Sequence, residues 1–264
     1  MRLELIQVDA FTRHLFGGNS AAVVVLDDWL DPALMQQIAM ENNLSETVFV
    51  KPESSGWSIR WFTPQIEVDL CGHATLAAAY VLFKDGYVAT DHLRFFSQGG
   101  DLGVAREGER LFLDFPARPG RPLIDCSAFA AAVGQPVVAA YQARDTLLIL
   151  ESQAAVAACS PDFAAVAALD TFAVIVSAPG EACDFVSRFF APAAGIPEDP
   201  VTGSAHCTLI PYWAERLAKQ QLHARQLSAR GGELFCRLQG ERVSIGGNCV
   251  EYLRGRLDLS ALDG

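Results

Sequence analysis

Long apolar runs are missing from this 264-residue chain: none approaches the ~18 to 20 residues that a bilayer-spanning helix requires, so no membrane partner is expected. Charges interrupt the opening segment from Met1 to Asp9, which reads as a strand and not as a signal core, and export is not expected. Lysine is scarce, limited to Lys51, Lys84 and Lys219, and the net charge is −11; neither a nucleic-acid groove nor an anionic membrane surface suits such a chain. The three lysines stand in polar or surface-like surroundings, which argues against a Schiff-base enzyme. There is no Gly-x-Gly-x-x-Gly opening a helix, no Walker-type Gly-Lys-Ser/Thr, no Gly-x-Ser-x-Gly and no His-Glu-x-x-His. The seven cysteines are odd in number and lack any Cys-x-x-Cys pair, so they fit neither a disulfide framework nor a structural zinc site, and a reducing cytoplasm is the expected compartment. Any catalysis is expected to use no cofactor and no metal.

An apolar share of 51% with 9% aromatics supplies enough material for real cores, in one large domain or two ordinary ones. Strand signals run over Leu3–Phe11 and Ala21–Leu26, followed by a helix that Asp31 caps with Pro32 at its first position and Leu34, Met35, Ile38 and Ala39 on one stripe. Ser45-Glu46-Thr47 enters a further strand, which places Glu46 at a loop-to-strand junction. Gly72–Phe83 is apolar on nearly all faces, the mark of a helix enclosed by other elements. Pro116–Pro122, with three prolines and a glycine in seven residues, reads as an extended linker. Beyond it the pattern recurs, with short strands, a motif at Asp199 and a helix from Ser204 to about Ala218. The expected domains are 1–115 and 116–249, with the closing segment 250–264 returning to the first half.

Two segments look like one design used twice, about 130 positions apart: Asp69-Leu-Cys-Gly-His-Ala-Thr-Leu and Asp199-Pro-Val-Thr-Gly-Ser-Ala-His. Each passes from an acidic residue through a glycine into a helix start, where unpaired N–H groups and the helix dipole favour an anion. Two copies in two halves suggest a single carboxylate-binding cleft between them. Glu46, beside Val48-Phe49-Val50, is the candidate for taking and giving a proton. His73 at its helix start can be held neutral, to donate or accept a hydrogen bond. Taken one at a time, each has an ordinary role: a solvated glutamate, a core or capping histidine, a capping aspartate at 199 and a plain cap at Ser204. His206 reads as a packed helix residue.

Six segments carry a more specific signal: Val8-Asp9-Ala10-Phe11-Thr12, Gly18-Asn19-Ser20-Ala21-Ala22-Val23-Val24, Asn43-Leu44-Ser45-Glu46-Thr47, Trp61-Phe62-Thr63-Pro64, Cys71-Gly72-His73-Ala74-Thr75 and Glu198-Asp199-Pro200-Val201-Thr202-Gly203-Ser204-Ala205. In this order the chain resembles the phenazine-biosynthesis isomerase (PhzF-like) family. The resemblance implies an α/β fold of the diaminopimelate epimerase-like type, two pseudo-symmetric lobes that each wrap a curved, mostly antiparallel sheet around a central helix. It implies that Glu46 moves a proton along a dihydro-hydroxyanthranilate skeleton while His73, Asp199 and Ser204 hold the substrate and assist. Catalytic roles are thus expected for Glu46, His73 and Asp199, and substrate contacts for Asn19, Ser20, Cys71, Gly72, Gly203 and Ser204. A homodimer is also implied. The epimerase relatives pair two cysteines; here Cys71 keeps the first position, but Asp199-Pro200-Val201 stands where the second would be, against two-thiol epimerisation.

Three functions follow as expectations: a cofactor-independent isomerase of a small carboxylic acid, an amino-acid epimerase or racemase using Glu46 and Cys71, and a small-acid binding protein without turnover.

Overall fold

The computed structural model describes residues 1–263. The chain divides into two units: the first comprises 1–114 and the segment from 246 onward, the second Phe115–Ile245. Among the described residues no helix is long and apolar enough to cross a membrane.

In the first unit the alternating opening segment forms β1 (Arg2–Ala10), which pairs antiparallel with β2 (Asn19–Val25) on one side and with the C-terminal strand Cys249–Asp258 on the other. The turn between β1 and β2 needs Gly18, whose φ is +64° and where an added Cβ would lie 2.1 Å from the Ala10 carbonyl oxygen. Gly18→Ala is therefore expected to cost more than ~1–2 kcal/mol from the left-handed backbone alone, before the clash, and a urea midpoint indistinguishable from wild type would refute this. Helix α1 (Pro32–Asn42) starts as the sequence predicts, the Asp31 carboxylate accepting from Ala33 N–H at 2.8 Å with Pro32 in the first turn; it ends at Asn43 in the left-handed region. It crosses between β2 and β3 (Glu46–Glu53), which pair in parallel. Antiparallel pairing continues to β4 (Gly56–Phe62) and the short β5 (Glu67–Val68). Helix α2 (Gly72–Lys84) then leads to β6 (His92–Ser97), parallel to β4, and to the meander of β7 (Gly100–Glu107) and β8 (Arg110–Pro116).

The packing explains why α2 is apolar all round. Ten of its thirteen residues are buried, and it lies against β1, β2 and β3. Trp61 Nε1–H donates to Thr75 Oγ1 at 3.1 Å, and the Thr75 hydroxyl donates to the Cys71 carbonyl at 2.6 Å, so the polar groups of Trp61 and Thr75 inside this core are paired. A separate cluster is built from Met35, Ile38 and Ala39 of α1 with Leu5, Ala22, Val24, Phe49 and Phe62.

The second unit repeats the pairing order. After β9 (Arg121–Pro122) and α3 (Ser127–Val133), β10 (Ala139–Gln142) pairs antiparallel with β11 (Thr146–Ile149). Two short helices, α4 (Gln153–Ala157) and α5 (Phe163–Ala167), cross to β12 (Val174–Pro179), parallel to β11. Next come β13 (Phe185–Ala191) and β14 (Ile196–Asp199), both antiparallel to their predecessors. Helix α6 (His206–Leu217) leads to β15 (Gln221–Gln226), parallel to β13, and β15 pairs antiparallel with β16 (Gly232–Gln239). The succession antiparallel, parallel, antiparallel, antiparallel, then a helix and a parallel crossover, matches the first unit step for step. This is the internal duplication that the two motifs suggest, and antiparallel pairs predominate in both copies.

Three features depart from the sequence reading. The stretch read as a linker is tied to its own unit: Ala117 and Arg118 N–H donate to the Glu241 and Cys207 carbonyls, both at 2.8 Å, and Arg121–Pro122 pair with Tyr141 and Gln142. Helix α6 begins two residues later than expected because Gly203, Ser204 and Ala205 form a tighter turn, with i→i+3 bonds from His206, Cys207 and Thr208. It also contains Pro211, which leaves the Cys207 carbonyl without its helical donor; the Arg118 N–H fills that place.

Candidate active site

Glu46 is the first residue of β3, paired opposite Ala21 of β2, and Asn42 Nδ2 ties the end of α1 to the neighbouring Thr47 Oγ1 at 3.0 Å. That junction turns the Glu46 side chain inward, leaving the residue 8% exposed. His73 is the second residue of α2 and is 5% exposed. Its Nε2 lies 2.9 Å from Glu46 Oε2. The two atoms are close enough for an ion pair but poorly aligned for a hydrogen bond, and neither has a hydrogen-bond partner among the described residues. On the other side of the ring, Nδ1 lies 3.2 Å from Asn19 Nδ2 and 3.5 Å from Cys71 Sγ. Asn19 Oδ1 accepts from the Ser45 hydroxyl at 3.0 Å.

The electrostatics follow from this enclosure. Burial, reinforced by the Glu46 carboxylate and opposed by His73, pushes the Cys71 thiol up to about 11. Burial pulls the His73 pKa down, while the Cys71 sulfur and then the Glu46 carboxylate push it up and leave it above the ordinary histidine value. The sulfur can do so only as a thiolate, a form that Cys71 reaches near pH 11. Below that pH the upward pull comes from Glu46.

Glu46, Cys71 and His73 offer ligand atoms within 4.8 Å of one another. Cys71 faces Nδ1 and Glu46 faces Nε2, however, and the lone pairs of these two nitrogens point apart on the ring.

The remaining expected residues are distributed over the two units. Ser20 donates to Asp9 Oδ1, whose other oxygen accepts from Phe16 N–H at 3.2 Å. Cys71 precedes α2 without a side-chain cap and Gly72 is its first residue, so the first N–H groups have no acceptor within the helix. In the second unit Asp199 ends β14 and is partly buried, its Oδ2 accepting from the Thr202 hydroxyl. Gly203 and half-buried Ser204 form the turn ahead of α6.

One residue that the sequence did not mark organises this turn. Gln226, 1% exposed at the end of β15, accepts from Thr202 N–H at 2.9 Å and donates to the Asp199 carbonyl at 2.8 Å and to Thr202 Oγ1 at 3.2 Å. A glutamine at the end of a strand 27 positions away gives no local sign of such a role.

His206 is a packed residue, as expected. It is fully buried, its Nδ1–H donates to the Thr202 carbonyl at 2.8 Å, and burial, opposed by that bond, pushes its pKa down from 6.5 to about 4. Unfolded, the ring gains a proton near pH 6.5; folded, it resists until about pH 4. Stability present above pH 6.5 is therefore lost as the pH falls towards 4, by up to ~3 kcal/mol. His206→Gln is expected to flatten that part of the profile, and urea midpoints that fall equally in both proteins between pH 7 and 4.5 would contradict it.

Comparison with known proteins identifies the family and the fold. The family described as phenazine biosynthesis-like protein matches residues 8–255. An uncharacterized isomerase of Pseudomonas aeruginosa is 58% identical over 261 residues, covering 98% of this chain and all of that protein. The crystal structure of a phenazine biosynthesis PhzF-family protein from Enterococcus faecalis superposes with a TM-score of 0.97 at 47% identity, covering 98% of this chain and all of the other. A hydroxyproline epimerase from Agrobacterium vitis shares the fold alone, with a TM-score of 0.63 at 10% identity, covering 98% and 93% of the two chains. A near-complete family match, a full-length isomerase relative and a duplicated α/β fold with a buried glutamate against a helix-start histidine place this chain in the phenazine biosynthesis-like (PhzF) family.

Proposed function

We propose that this protein is a cofactor-independent isomerase that shifts a proton within a small, already activated carboxylic acid, with Glu46 as the acid and base. The observation that carries this reading is the approach of Glu46 Oε2 to His73 Nε2 at 2.9 Å, both atoms buried and neither committed to an aligned hydrogen bond. A carboxylate so placed takes a proton from one carbon and returns it to another, while the neighbouring ring steadies its charge. The N–H groups at the start of α2 are assigned to the substrate's carboxylate, and the family resemblance, not their placement, assigns Asp199 and Ser204 to substrate binding. A lone carboxylate removes only a proton that conjugation has already made acidic, so the substrate class is an unsaturated or enolisable acid such as a dihydro-hydroxyanthranilate. The isomerase name of the Pseudomonas aeruginosa relative supports the same reading.

The epimerase reading requires Cys71 as a second base, and a thiol pushed up to about 11 is a poor one at neutral pH. Incubating the protein with such acids in D2O separates the alternatives by NMR. A moved double bond is the expected result, with deuterium at the new tetrahedral carbon only to the extent that the proton held by Glu46 exchanges with solvent before it is returned. Scrambled configuration at an α-carbon would establish epimerisation instead, and bound acids with neither a moved double bond nor exchange would leave only a binding protein.

A further inference from the structure

The His73 nitrogen that faces away from Glu46 is enclosed by donors. Asn19 Nδ2 and Cys71 Sγ approach Nδ1 at 3.2 and 3.5 Å, and burial keeps the sulfur protonated up to about pH 11. Ser45 Oγ–H donates to Asn19 Oδ1 at 3.0 Å, so the fully buried amide presents its NH2 end to the ring. A second ring proton would sit on Nδ1, pointed at an N–H and an S–H. A neutral imidazole that accepts at Nδ1 carries its one hydrogen on Nε2, the atom 2.9 Å from Glu46 Oε2.

We propose that Asn19, held by Ser45, is a positioning residue that fixes His73 in the Nε2–H tautomer. Asn19 then acts through the histidine and not on the substrate, in place of the substrate contact that the sequence suggests. His73 in this form is a donor towards Glu46 and cannot itself take the substrate's proton at Nε2, which leaves the glutamate as the single base. The mechanistic meaning rests on the acid–base role proposed for Glu46, whereas the tautomer does not.

The test is 15N–1H NMR of the full chain labelled at histidine nitrogens, followed as the pH is raised through the His73 titration and read on the neutral ring throughout, with the His73 signals assigned by their loss in His73→Gln. The wild type is expected to show Nδ1 as a bare ring nitrogen and Nε2 bearing hydrogen. Asn19→Asp offers an acceptor to Nδ1 and is expected to place a hydrogen there. Ser45→Ala frees the amide to turn and is expected to give a mixture at Nδ1, while Ser45→Thr, which restores the hydroxyl, returns the wild-type pattern. A hydrogen on Nδ1 in the wild type, or an Nδ1 signal unmoved in Asn19→Asp, overturns the proposal. If Asn19→Asp does not fold, an unmoved signal in Ser45→Ala overturns it equally. The readout involves no substrate, so absence of isomerisation in D2O would remove the proposed function and leave these signals as predicted. The converse failure would leave the D2O test standing.

Discussion

Glu46→Gln is expected to lower turnover by ~10²- to 10⁴-fold, the usual worth of one positioned acid–base group, with KM changed little. The substitution keeps the length and volume of the side chain, and the amide oxygen can occupy the carboxylate's place 2.9 Å from His73 Nε2. The fold should therefore persist, and a urea midpoint close to wild type is part of the expectation. Glu46→Asp keeps the carboxylate but withdraws it by one methylene, and misplacement of a reacting group by ~1 Å can cost ~10²-fold. The aspartate variant should thus fall between wild type and the glutamine variant. If Glu46→Gln retained more than about a tenth of the wild-type rate, the glutamate would be a positioning group and the acid–base assignment would fail.

What the sequence reveals here depends on how locally each feature is encoded. The Asp31-Pro32 cap, the enclosed helix at Gly72 and the doubled motif are written in neighbouring residues, and the structure places helices at Pro32 and Gly72 with the duplicated pairing order around them. Glu46 at the edge of an apolar strand and His73 at a helix start both stand out in the sequence; their contact at 2.9 Å does not, because it joins residues 27 positions apart through the packing of α2 against β3. The same holds for the Asn19 contact with His73, which spans 54 positions. Proline content misled at Pro116–Pro122, where backbone hydrogen bonds to Glu241 and Cys207 anchor a stretch whose composition suggests freedom. The short helices α3, α4 and α5 went unmarked because alanine-rich turns of five to seven residues carry too little apolar periodicity to stand out, although Val133, Val156 and Val166 enter a common buried cluster.

The largest expected stability effect lies beside Asp199. Arg188 of β13 donates from Nε and Nη2 to the two oxygens of Glu198 at 2.7 and 2.9 Å, and from Nη1 to the Cys159 carbonyl at 2.6 Å and the Val156 carbonyl at 3.3 Å. The pair is mostly shielded, with side-chain exposures of 13% and 22%, and the Glu198 contact raises the Arg188 pKa further. One guanidinium thus closes the C-terminal end of α4, where carbonyls lack helical donors, and clamps the strand whose next residue is Asp199. Arg188→Met fills the space but leaves a shielded carboxylate and the Cys159 carbonyl without the donor that Arg188 supplies. Losing one partner of a buried pair costs ~3–5 kcal/mol, and the residual exposure places this case near 3 kcal/mol. Arg188→Lys keeps a charge but not the two-pronged geometry, so its loss should be intermediate. Arg188→Met combined with Glu198→Met should recover part of the loss, because no carboxylate is then stranded. Urea midpoints at constant m-value measure all three. A midpoint for Arg188→Met equal to wild type would mean that solvent replaces the clamp at no cost, and β14 would then owe its position to the Gln226 bonds at Asp199 and Thr202 instead.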